Sequence, residues 1–437
     1  MASPWSKKEV EFLKKNYGRI TTDKLEKKLN RSKEGIHHKS RILKIKWLSR
    51  KWKDKIDYEK KNKNSIVDYR DVINTYSKYH QDRAYSYITA RKLKFGGVRT
   101  SEISKQLKIS KFTIEGWSYK SKPFPLRSIE ELNELNLLPF IPVQNSRVEL
   151  IVKLFAYILT DGTINKNNLS NIKIAGDYED LLSLKKEINN IFPRVSCSIH
   201  KWKSKGNLEG RKIEGLTNAL EINNTALGRL LYVLGAPIGD KVIQSFKLPN
   251  WIFELNRDLK RIFLGVLWSC EGSKPLIHKK GYNLNFGMSK DERLKKEHKF
   301  FLNQIRYFFQ EFNIDTSNIA WSNKRTLRKD KIISRKAYFY VRSYSKNFLK
   351  FYHQIPLFAK KKQEFFKAML NNVMNIEKRK EQRKKLRKDI LNDTLKLLEG
   401  GYSKNYISNE LKIPRSTLRY WLNLERQKGL EEEQNLY

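Results

Sequence analysis

The fold of this chain is most constrained by two apolar segments. Each segment ends in an acidic residue followed by glycine. LFAYILTDGT reaches Asp161 and Gly162, and FLGVLWSCEGS reaches Glu271 and Gly272. Both segments have the apolar content of a buried helix, and similar alternations of strand-like and helix-like residues follow each of them. One ground plan therefore occurs twice between about residues 146 and 370, and we expect an α+β fold there.

Apolar periodicity predicts the elements that follow each segment. In the first half we expect strands at 171–175, 195–202 and 219–223, with helices at 179–191 and 225–234. In the second half we expect strands near 283–288, 319–322 and 337–342, with a helix at 291–312 among them.

The net charge indicates the kind of partner. The chain has 90 Lys and Arg against 46 Asp and Glu, a formal charge of +44, and such a protein meets a polyanion. With 39% hydrophobic residues, the 437-residue chain can bury a core, and its length suggests roughly three domains. No apolar stretch is long enough for a membrane helix, and the first residues lack a signal-peptide core, so we expect no membrane association.

Cysteine and histidine usage narrows the possible chemistry. Cys197 and Cys270 are the only cysteines in the sequence, which excludes a disulfide framework and a four-cysteine zinc site. The seven histidines are scattered. Catalysis, if present, must therefore use carboxylates.

An internal repeat indicates helix-turn-helix modules. TSEISKQLKISKFTIEGW and SKNYISNELKIPRSTLRYW align at a constant offset of 304 residues, from Ile103 with Ile407 to Trp117 with Trp421. Each contains two apolar residues four apart, a brief turn, and then Thr, an apolar residue and Trp, which is helix-turn-helix spacing. We expect these modules at 85–140 and 385–430.

A weaker third copy lies near the start of the chain. Leu25, Leu29 and Ile36 repeat the same spacing, with Trp5 before them and Ile42, Ile45 and Trp47 after them. Residues 1–50 resemble the Myb or SANT-like three-helix DNA-binding module. The side chains expected to read DNA in the three modules are Lys33, His37, Arg41, Lys111, Glu115, Arg415, Ser416 and Arg419. The same spacing also fits any short helical hairpin.

Two charged runs and one proline-containing stretch mark boundaries. Residues 51–63 and 378–388 have the composition of solvated connectors or of charged helices with nothing to bury, and the second run is also suited to a DNA backbone. LPFIPV at 138–143 marks the start of the central region.

The paired acidic segments resemble the signature helices of the LAGLIDADG homing endonucleases in their monomeric, two-motif form. LGAPIGDK at 234–241, followed by LPNW at 248–251, adds to this resemblance, which covers roughly half of the chain. It implies a duplicated αββαββα core, with halves at 146–255 and 256–372, that forms a DNA-binding saddle. Small all-α helix-turn-helix modules would flank this core.

The resemblance also assigns the catalytic residues. Asp161 and Glu271 fall on the catalytic acidic positions and would hold Mg²⁺ or Mn²⁺, while Lys274 and Lys290 match basic positions of some members. Carboxylates that bind a divalent cation supply the charge neutralisation that phosphodiester hydrolysis needs. The glycines after the acids are expected to allow a sharp exit into the sheet. The sequence departs from the family pattern at Val266, usually Gly, and at Gly176, which is Lys in some members.

The sheets of the saddle would lie in the major groove of double-stranded DNA. Alternation in VSCSIHKWK and KAYFYVRS predicts the exposed side chains His200, Trp202, Tyr338, Tyr340 and Arg342. An ordinary half-solvated sheet would show the same alternation.

The expected function is therefore site-specific cleavage of double-stranded DNA by a pseudo-twofold monomer encoded in a mobile genetic element. A transcription regulator or an RNA-splicing maturase of the same fold are alternatives, and a maturase would add intron RNA as a partner. A recombinase would need a further acidic arrangement that the sequence lacks. An intein is not expected, because no Cys or Ser stands first and no His-Asn pair stands last. The expected location is cytoplasmic and nucleoid-associated, or organellar in a eukaryotic host.

Overall fold

The structure is a computed structural model of the chain. It describes residues 4–17, 22–43, 65–119, 121–142, 145–208, 211–278, 281–328 and 330–434. The predicted connector at 51–63 lies outside these residues, as do Ile45, Trp47 and the side chain of Trp202.

Three short helices occupy the region of the predicted N-terminal module. They are α1 (Lys7–Asn16), α2 (Thr22–Leu29) and α3 (Lys33–Ile42). Ser6 and Glu9 form a capping box at the start of α1, and the Ser32 hydroxyl caps α3 by accepting from the Gly35 N–H. Their buried apolar side chains pack on one another as a separate cluster, formed by Leu13, Tyr17, Leu25, Leu29 and Ile36.

Five further helices precede the central region. They are α4 (Tyr69–Asn74), α5 (Lys78–Phe95), α6 (Thr100–Leu107), α7 (Lys111–Tyr119) and α8 (Phe124–Glu134). Their core is continuous with that of the central region. Arg229 from that region stacks on Tyr76, with 3.3 Å from the guanidinium carbon to the ring centroid, and donates to the Thr75 carbonyl at 2.8 Å. The helical region therefore begins before the predicted boundary at 85 and is fixed to the center of the protein.

The central region contains two antiparallel four-stranded sheets, so the predicted α+β class is confirmed. The first part consists of α9 (Val148–Leu159), β1 (Gly162–Ile164), β2 (Asn171–Gly176), α10 (Tyr178–Ile191), β3 (Ser196–Leu208), β4 (Arg211–Asn223) and α11 (Thr225–Val233). The second consists of α12 (Asn250–Phe253), α13 (Arg257–Glu271), β5 (Leu276–His278), β6 (Gly281–Asp291), α14 (Lys295–Glu311), β7 (Ala320–Leu327), β8 (Ile333–Val341) and α15 (Ser345–Gln354). The strand orders are β1-β2-β4-β3 and β5-β6-β8-β7, one pattern in both sheets.

Helices α9 and α13 pack against each other, and each contacts a strand of the sheet that follows it. Nearly every residue of α9 is buried, and α13 buries Phe263, Leu264, Leu267 and Trp268. This packing brings the ends of the two acidic segments to the same part of the molecule.

The chain ends in one long helix and a helical pair. Helix α16 (Lys360–Glu399) has 40 residues, and α17 (Lys404–Glu410) and α18 (Arg415–Gln434) follow it. The basic run at 378–388 lies inside α16, so it is a charged helix rather than a connector between elements. The predicted boundaries at 372 and 385 also fall within this helix, because Lys, Arg, Glu and Gln are good helix formers and no residue interrupts the run.

Candidate active site and nucleic-acid interface

The two acids occupy equivalent positions at the ends of α9 and α13. Asp161 follows the last turn of α9 and is exposed, whereas Glu271 is the last residue of α13 and is half-buried. The glycines after them are required for space. A Cβ on Gly162 would press on the Tyr157 carbonyl, and one on Gly272 would overlap the Trp268 ring. Neither glycine has a positive φ, so the expected reason, a sharp exit that favours glycine, is wrong.

Two lysines that the sequence did not single out cap these helix ends. The Lys241 ammonium donates to the carbonyls of Ile158 (2.9 Å), Thr160 and Gly162 (2.7 Å). The Lys362 ammonium donates to the carbonyls of Trp268 (3.2 Å), Ser269 (2.7 Å), Cys270 (3.2 Å) and Gly272 (2.6 Å). Ile158, Thr160 and Gly162 precede Trp268, Cys270 and Gly272 by the same 110 residues that separate the acids. A cation at a helix C-terminus satisfies carbonyls that have no partner within the helix.

The acids and lysines influence one another electrostatically. Burial and, to a lesser extent, the negative charge of Asp161 raise the pKa of Glu271 to about 7, while Lys241 and Lys362 oppose this rise. Burial lowers the pKa of Lys241 to about 8, against the opposing effect of Asp161 and Glu271. Burial likewise lowers the pKa of Lys362. Glu271, Lys241 and Lys362 are therefore partly shielded from solvent, close to the exposed Asp161.

A cleft of about 420 Å³ opens beside Asp161. Lys274, Lys362 and Cys270 also line it, and the Lys274 ammonium lies 4.4 Å from the centroid of the Phe365 ring. Two of the predicted catalytic residues, Asp161 and Lys274, thus share one cleft.

Lys290 lies in a different environment. It is only 3% exposed, and its ammonium donates to the carbonyls of Lys241 (2.7 Å) and Gln244. The ammonium also lies 3.6 Å from the centroid of the Phe246 ring. Burial and the charge of Lys241 lower its pKa to about 7. Lys290 therefore fixes the segment that carries Lys241 instead of lining the cleft.

The donor set of the site fits a hard divalent cation. Asp161 and Glu271 offer carboxylate oxygens, which Mg²⁺ prefers, and Mg²⁺ usually keeps several waters when only one or two carboxylates bind it. In the described ranges, no group of three or more His, Cys, Asp and Glu side chains could hold a metal ion. Asp177 and Asp180 of the cleft are engaged by Lys361 and by the Lys360 N–H.

The predicted alternation is present in β8. Ala337, Phe339 and Val341 are buried, whereas Tyr338 and Tyr340 are half-buried with their ring centroids 5.3 Å apart. Arg342 follows the strand and is exposed. In β3, His200 is exposed and its Nε2 lies 2.7 Å from the Ser198 hydroxyl. The tyrosines therefore lie on the second sheet and His200 on the first.

The three helical pairs share one turn geometry. Asn30 and Lys108 directly follow the first helix of their pairs, Lys412 is the second residue after α17, and the three have φ of 51°, 53° and 50°. The Ser104 hydroxyl donates to the Ile109 carbonyl at 2.7 Å, and the Ser408 hydroxyl donates to the Ile413 carbonyl at 2.6 Å. Helices α2 and α3 begin 78 residues before α6 and α7. The repeat found in the sequence is thus a repeat in structure.

Most of the predicted DNA-reading side chains are exposed on the second helix of each pair. Lys33, Lys111 and Arg415 are the first residues of α3, α7 and α18, and all three are exposed. Arg41, Glu115, Ser416 and Arg419 are exposed as well. His37 differs, because its Nδ1 lies 2.7 Å from the buried Tyr17 hydroxyl. Lys33 pairs with Asp23, and Lys111 lies 3.9 Å from Glu115.

Two exposed aromatic side chains on these helices were missed by the sequence analysis. Phe112 is 85% exposed and Tyr420 is 61% exposed, each beside a predicted reading position. In the sequence they cannot be distinguished from core positions, because an aromatic residue in a short helix is usually buried.

No protein-family model matches the sequence. Replication factor C small subunit of Methanocaldococcus jannaschii is 27% identical over 317 residues, which are 70% of this chain and 16% of that protein. The tRNA-splicing ligase RtcB of the same organism is 30% identical over 200 residues, 43% of this chain and 20% of the relative. DNA-directed RNA polymerase subunit Rpo1N, also from that organism, is 26% identical over 223 residues, which are 49% of this chain and 16% of that protein. The chain thus spans a fifth or less of the length of these relatives.

Among solved structures, a mesophilic variant of the homing endonuclease I-DmoI has a TM-score of 0.30 and 13% identity, covering 48% of this chain and 96% of that one. An I-DmoI variant in complex with its target DNA in the presence of Mn has a TM-score of 0.28 and 11% identity. This match covers 47% of this chain and 93% of that one. Of the helices that the structure describes, none is long and apolar enough to cross a membrane.

Proposed function

We propose that this protein is a metal-dependent, site-specific endonuclease of double-stranded DNA, of the two-motif LAGLIDADG homing type. One observation carries the proposal. Asp161 and Glu271 lie at equivalent ends of two contacting helices, and each end is capped by a lysine, Lys241 or Lys362, on matching carbonyls. The two halves of the site therefore repeat down to individual hydrogen bonds.

The chemistry follows from the charges of this site. Asp161 and Glu271 would hold Mg²⁺ or Mn²⁺, which supplies charge neutralisation at the scissile phosphate and activates water when it is bound. Lys274, in the cleft beside Asp161, would offset the remaining phosphate charge. Lys241 and Lys362 oppose the rise in the pKa of Glu271 and hold the helix ends in place, and Lys290 positions the segment of Lys241.

The DNA would be held by the basic surface around this site. The net charge of +44 favours a polyanion, and the half-buried or exposed side chains of His200, Tyr338, Tyr340 and Arg342 support contacts in the major groove, where the sequence also predicts Trp202. The three helical pairs would act as helix-turn-helix readers that lengthen the recognised sequence. Two acids related by a pseudo-twofold repeat suit the two strands of one duplex, so a single chain is expected to act alone.

The distribution of relatives supports a mobile element as the carrier. The matched relatives have three different names, and the chain corresponds to a fifth or less of each. A replication factor subunit, a ligase and a polymerase subunit have no common activity that would explain a shared segment. Transfer of the segment between genes explains it more simply. We therefore propose that the chain derives from a transferable endonuclease segment.

Substitution of the two acids tests the proposal. Asp161→Asn and Glu271→Gln keep the side-chain size but remove the anionic oxygen that a hard cation needs. We expect each to abolish or severely slow cleavage of at least one strand in a genomic DNA library with Mg²⁺, with the ends identified by sequencing. Binding of these variants to DNA in Ca²⁺ should persist, because each variant lacks a carboxylate that would repel phosphates when no metal lies between them.

The matched controls are Asp258→Asn and Glu297→Gln, two exposed acids in the first turns of α13 and α14. Both should cleave as the unmodified protein does. Full activity of both acid variants would contradict the proposal and favour a DNA-binding regulator or a maturase of the same fold.

A further inference from the structure

Helix α16 has two packed ends. At its start, the Lys360 N–H donates to the Asp180 carboxylate at 3.0 Å, and the Phe366 ring stacks on Phe348 and Phe351 at 5.9 and 5.3 Å between centroids. Together with the hydrogen bonds of Lys362 to α13, these contacts fix the start of α16 directly at the acidic site.

At its other end, α16 packs on the terminal helical pair. Leu391 and Thr394 are buried, α16 contacts α17, and the Arg387 guanidinium lies 5.4 Å from the centroid of the Trp421 ring. The buried Ile407 and Leu418 complete this packing. The terminal pair is therefore held by the same helix that begins at the acidic site.

Between these ends most of the helix surface faces solvent, although Arg387 contacts Trp421 and Glu377 contacts Ser345 of α15. From residue 374 to residue 390, every side chain is exposed or half-buried, and none of these described side chains is buried. This stretch has eight Lys and Arg against three Asp and Glu. A mostly polar helix without buried side chains bridges two parts of a folded protein through solvent, and the basic excess provides a surface for phosphates.

We propose that α16 is a spacer that runs along the DNA backbone and sets the distance from the cleavage site to the bases read by α18. This inference rests on the proposed function. At 1.5 Å per residue, the 40 residues of α16 span about 60 Å. At 3.4 Å per base pair this is roughly 18 base pairs. The terminal pair would thus read a flank more than one turn of DNA away, at a fixed spacing.

The geometry of a continuous helix gives the proposal a sharp test. An insertion of seven residues lengthens the helix by about 10 Å and turns its end by only about 20° from the original direction. An insertion of two residues lengthens it by about 3 Å but turns its end by roughly 200°. The first insertion should move the reading helix along the duplex, and the second should turn it away.

Selection from a pool of DNA duplexes with about 60 randomised base pairs would reveal the spacing. We expect the unmodified protein to select a central block of sequence and one flanking block. A helical insert of seven residues without net charge after Lys384 should move the flanking block outward by about three base pairs. Two alanines at the same place should abolish the flanking block and keep the central one.

Each other outcome has a definite meaning. A flanking block at an unchanged spacing in the seven-residue variant, or one that survives the two-residue insertion, would overturn the spacer. So would a central block without any flanking block in the unmodified protein, although the proposed endonuclease would stand. Loss of both blocks in the unmodified protein would refute the proposed function itself.

The contact with phosphates is tested separately by charge. Replacing Arg379, Arg383 and Lys384 by Gln should make the slope of log binding constant against log salt shallower by about 2 to 3, since each phosphate contact contributes about −0.9. Replacing the exposed Lys295, Lys296 and Lys299 of α14 by Gln is the matched control. Equal slopes for the two variants, with helix content unchanged by circular dichroism, would show that α16 does not lie on the backbone.

Discussion

Replacing Lys290 by Met should change how the stability of the protein depends on pH. The pKa of Lys290 is lowered from 10.5 to about 7 by burial and by the charge of Lys241. The unfolded chain therefore binds a proton at Lys290 up to about pH 10.5, whereas the folded protein binds it only below about 7. The free energy of unfolding must rise with pH between these values, because the unfolded state holds the extra proton.

The size of this effect follows from the shift. A change of about 3.5 pKa units corresponds to roughly 5 kcal/mol over the whole window, of which about 2 kcal/mol falls between pH 7 and pH 9. Lys290→Met keeps the length of the side chain and its contact with Phe246 but cannot titrate. The unmodified protein should therefore gain about 2 kcal/mol relative to the variant between pH 7 and pH 9. Lost hydrogen bonds to Lys241 and Gln244 would lower the whole curve of the variant without changing this slope.

Urea unfolding followed by tryptophan fluorescence and circular dichroism at several pH values would measure the difference. Comparison with the variant cancels the titration of Lys241, which falls in the same window. Lys299→Met, at an exposed position of α14, controls for the substitution itself. Parallel curves for the unmodified protein and Lys290→Met from pH 7 to pH 9 would refute the idea that the fold holds this lysine without its proton.

Two more outcomes follow from the site. Lys241→Gln and Lys362→Gln remove cations that lower the pKa of Glu271, so the pH–rate profile of DNA cleavage should shift to higher pH. Lys361 is an exposed neighbour, and Lys361→Gln should leave the profile in place. Gly265→Ala would drive a Cβ into the Pro356 carbonyl and the Phe358 ring and should reduce stability in urea by about 1–3 kcal/mol, while Gly96→Ala, with ordinary contacts only, should be close to neutral. An unshifted profile or a Gly265→Ala variant of normal stability would contradict these contacts.

The acidic helices were predictable because their signal is local and strong. A mostly apolar run before an acid and a glycine, such as the six residues of LFAYIL, can be recognised without knowledge of the rest of the fold. The strands β1 and β5 were not predicted, because three residues are too few to show a period of two. The extent of β3 and β4 was underestimated for a related reason, since the ends of this hairpin are polar and carry no apolar alternation.

The lysines of the site show where sequence reasoning stops. Lys274 is three residues from Glu271, and its position in the cleft follows from that proximity. Lys241 and Lys362 lie far along the chain from the acids whose helices they cap, and only tertiary packing brings them there. Lys290 resembled a catalytic lysine in sequence, but its ammonium donates hydrogen bonds to two backbone carbonyls. Residue type thus predicted a basic site, while the fold decided which lysines form it.

The separate core of the first three helices has a consequence for how the protein meets its target. Helices α4–α8 share the main core, so they cannot loosen without disturbing the sheets. Among the residues that the structure describes, the N-terminal cluster buries five apolar side chains, packed on one another. A duplex bound to α3 would add stability to this separate cluster by mass action. The stability of this end of the protein would then indicate whether DNA is bound to it. Resistance of the N-terminus to proteases would rise with the concentration of DNA.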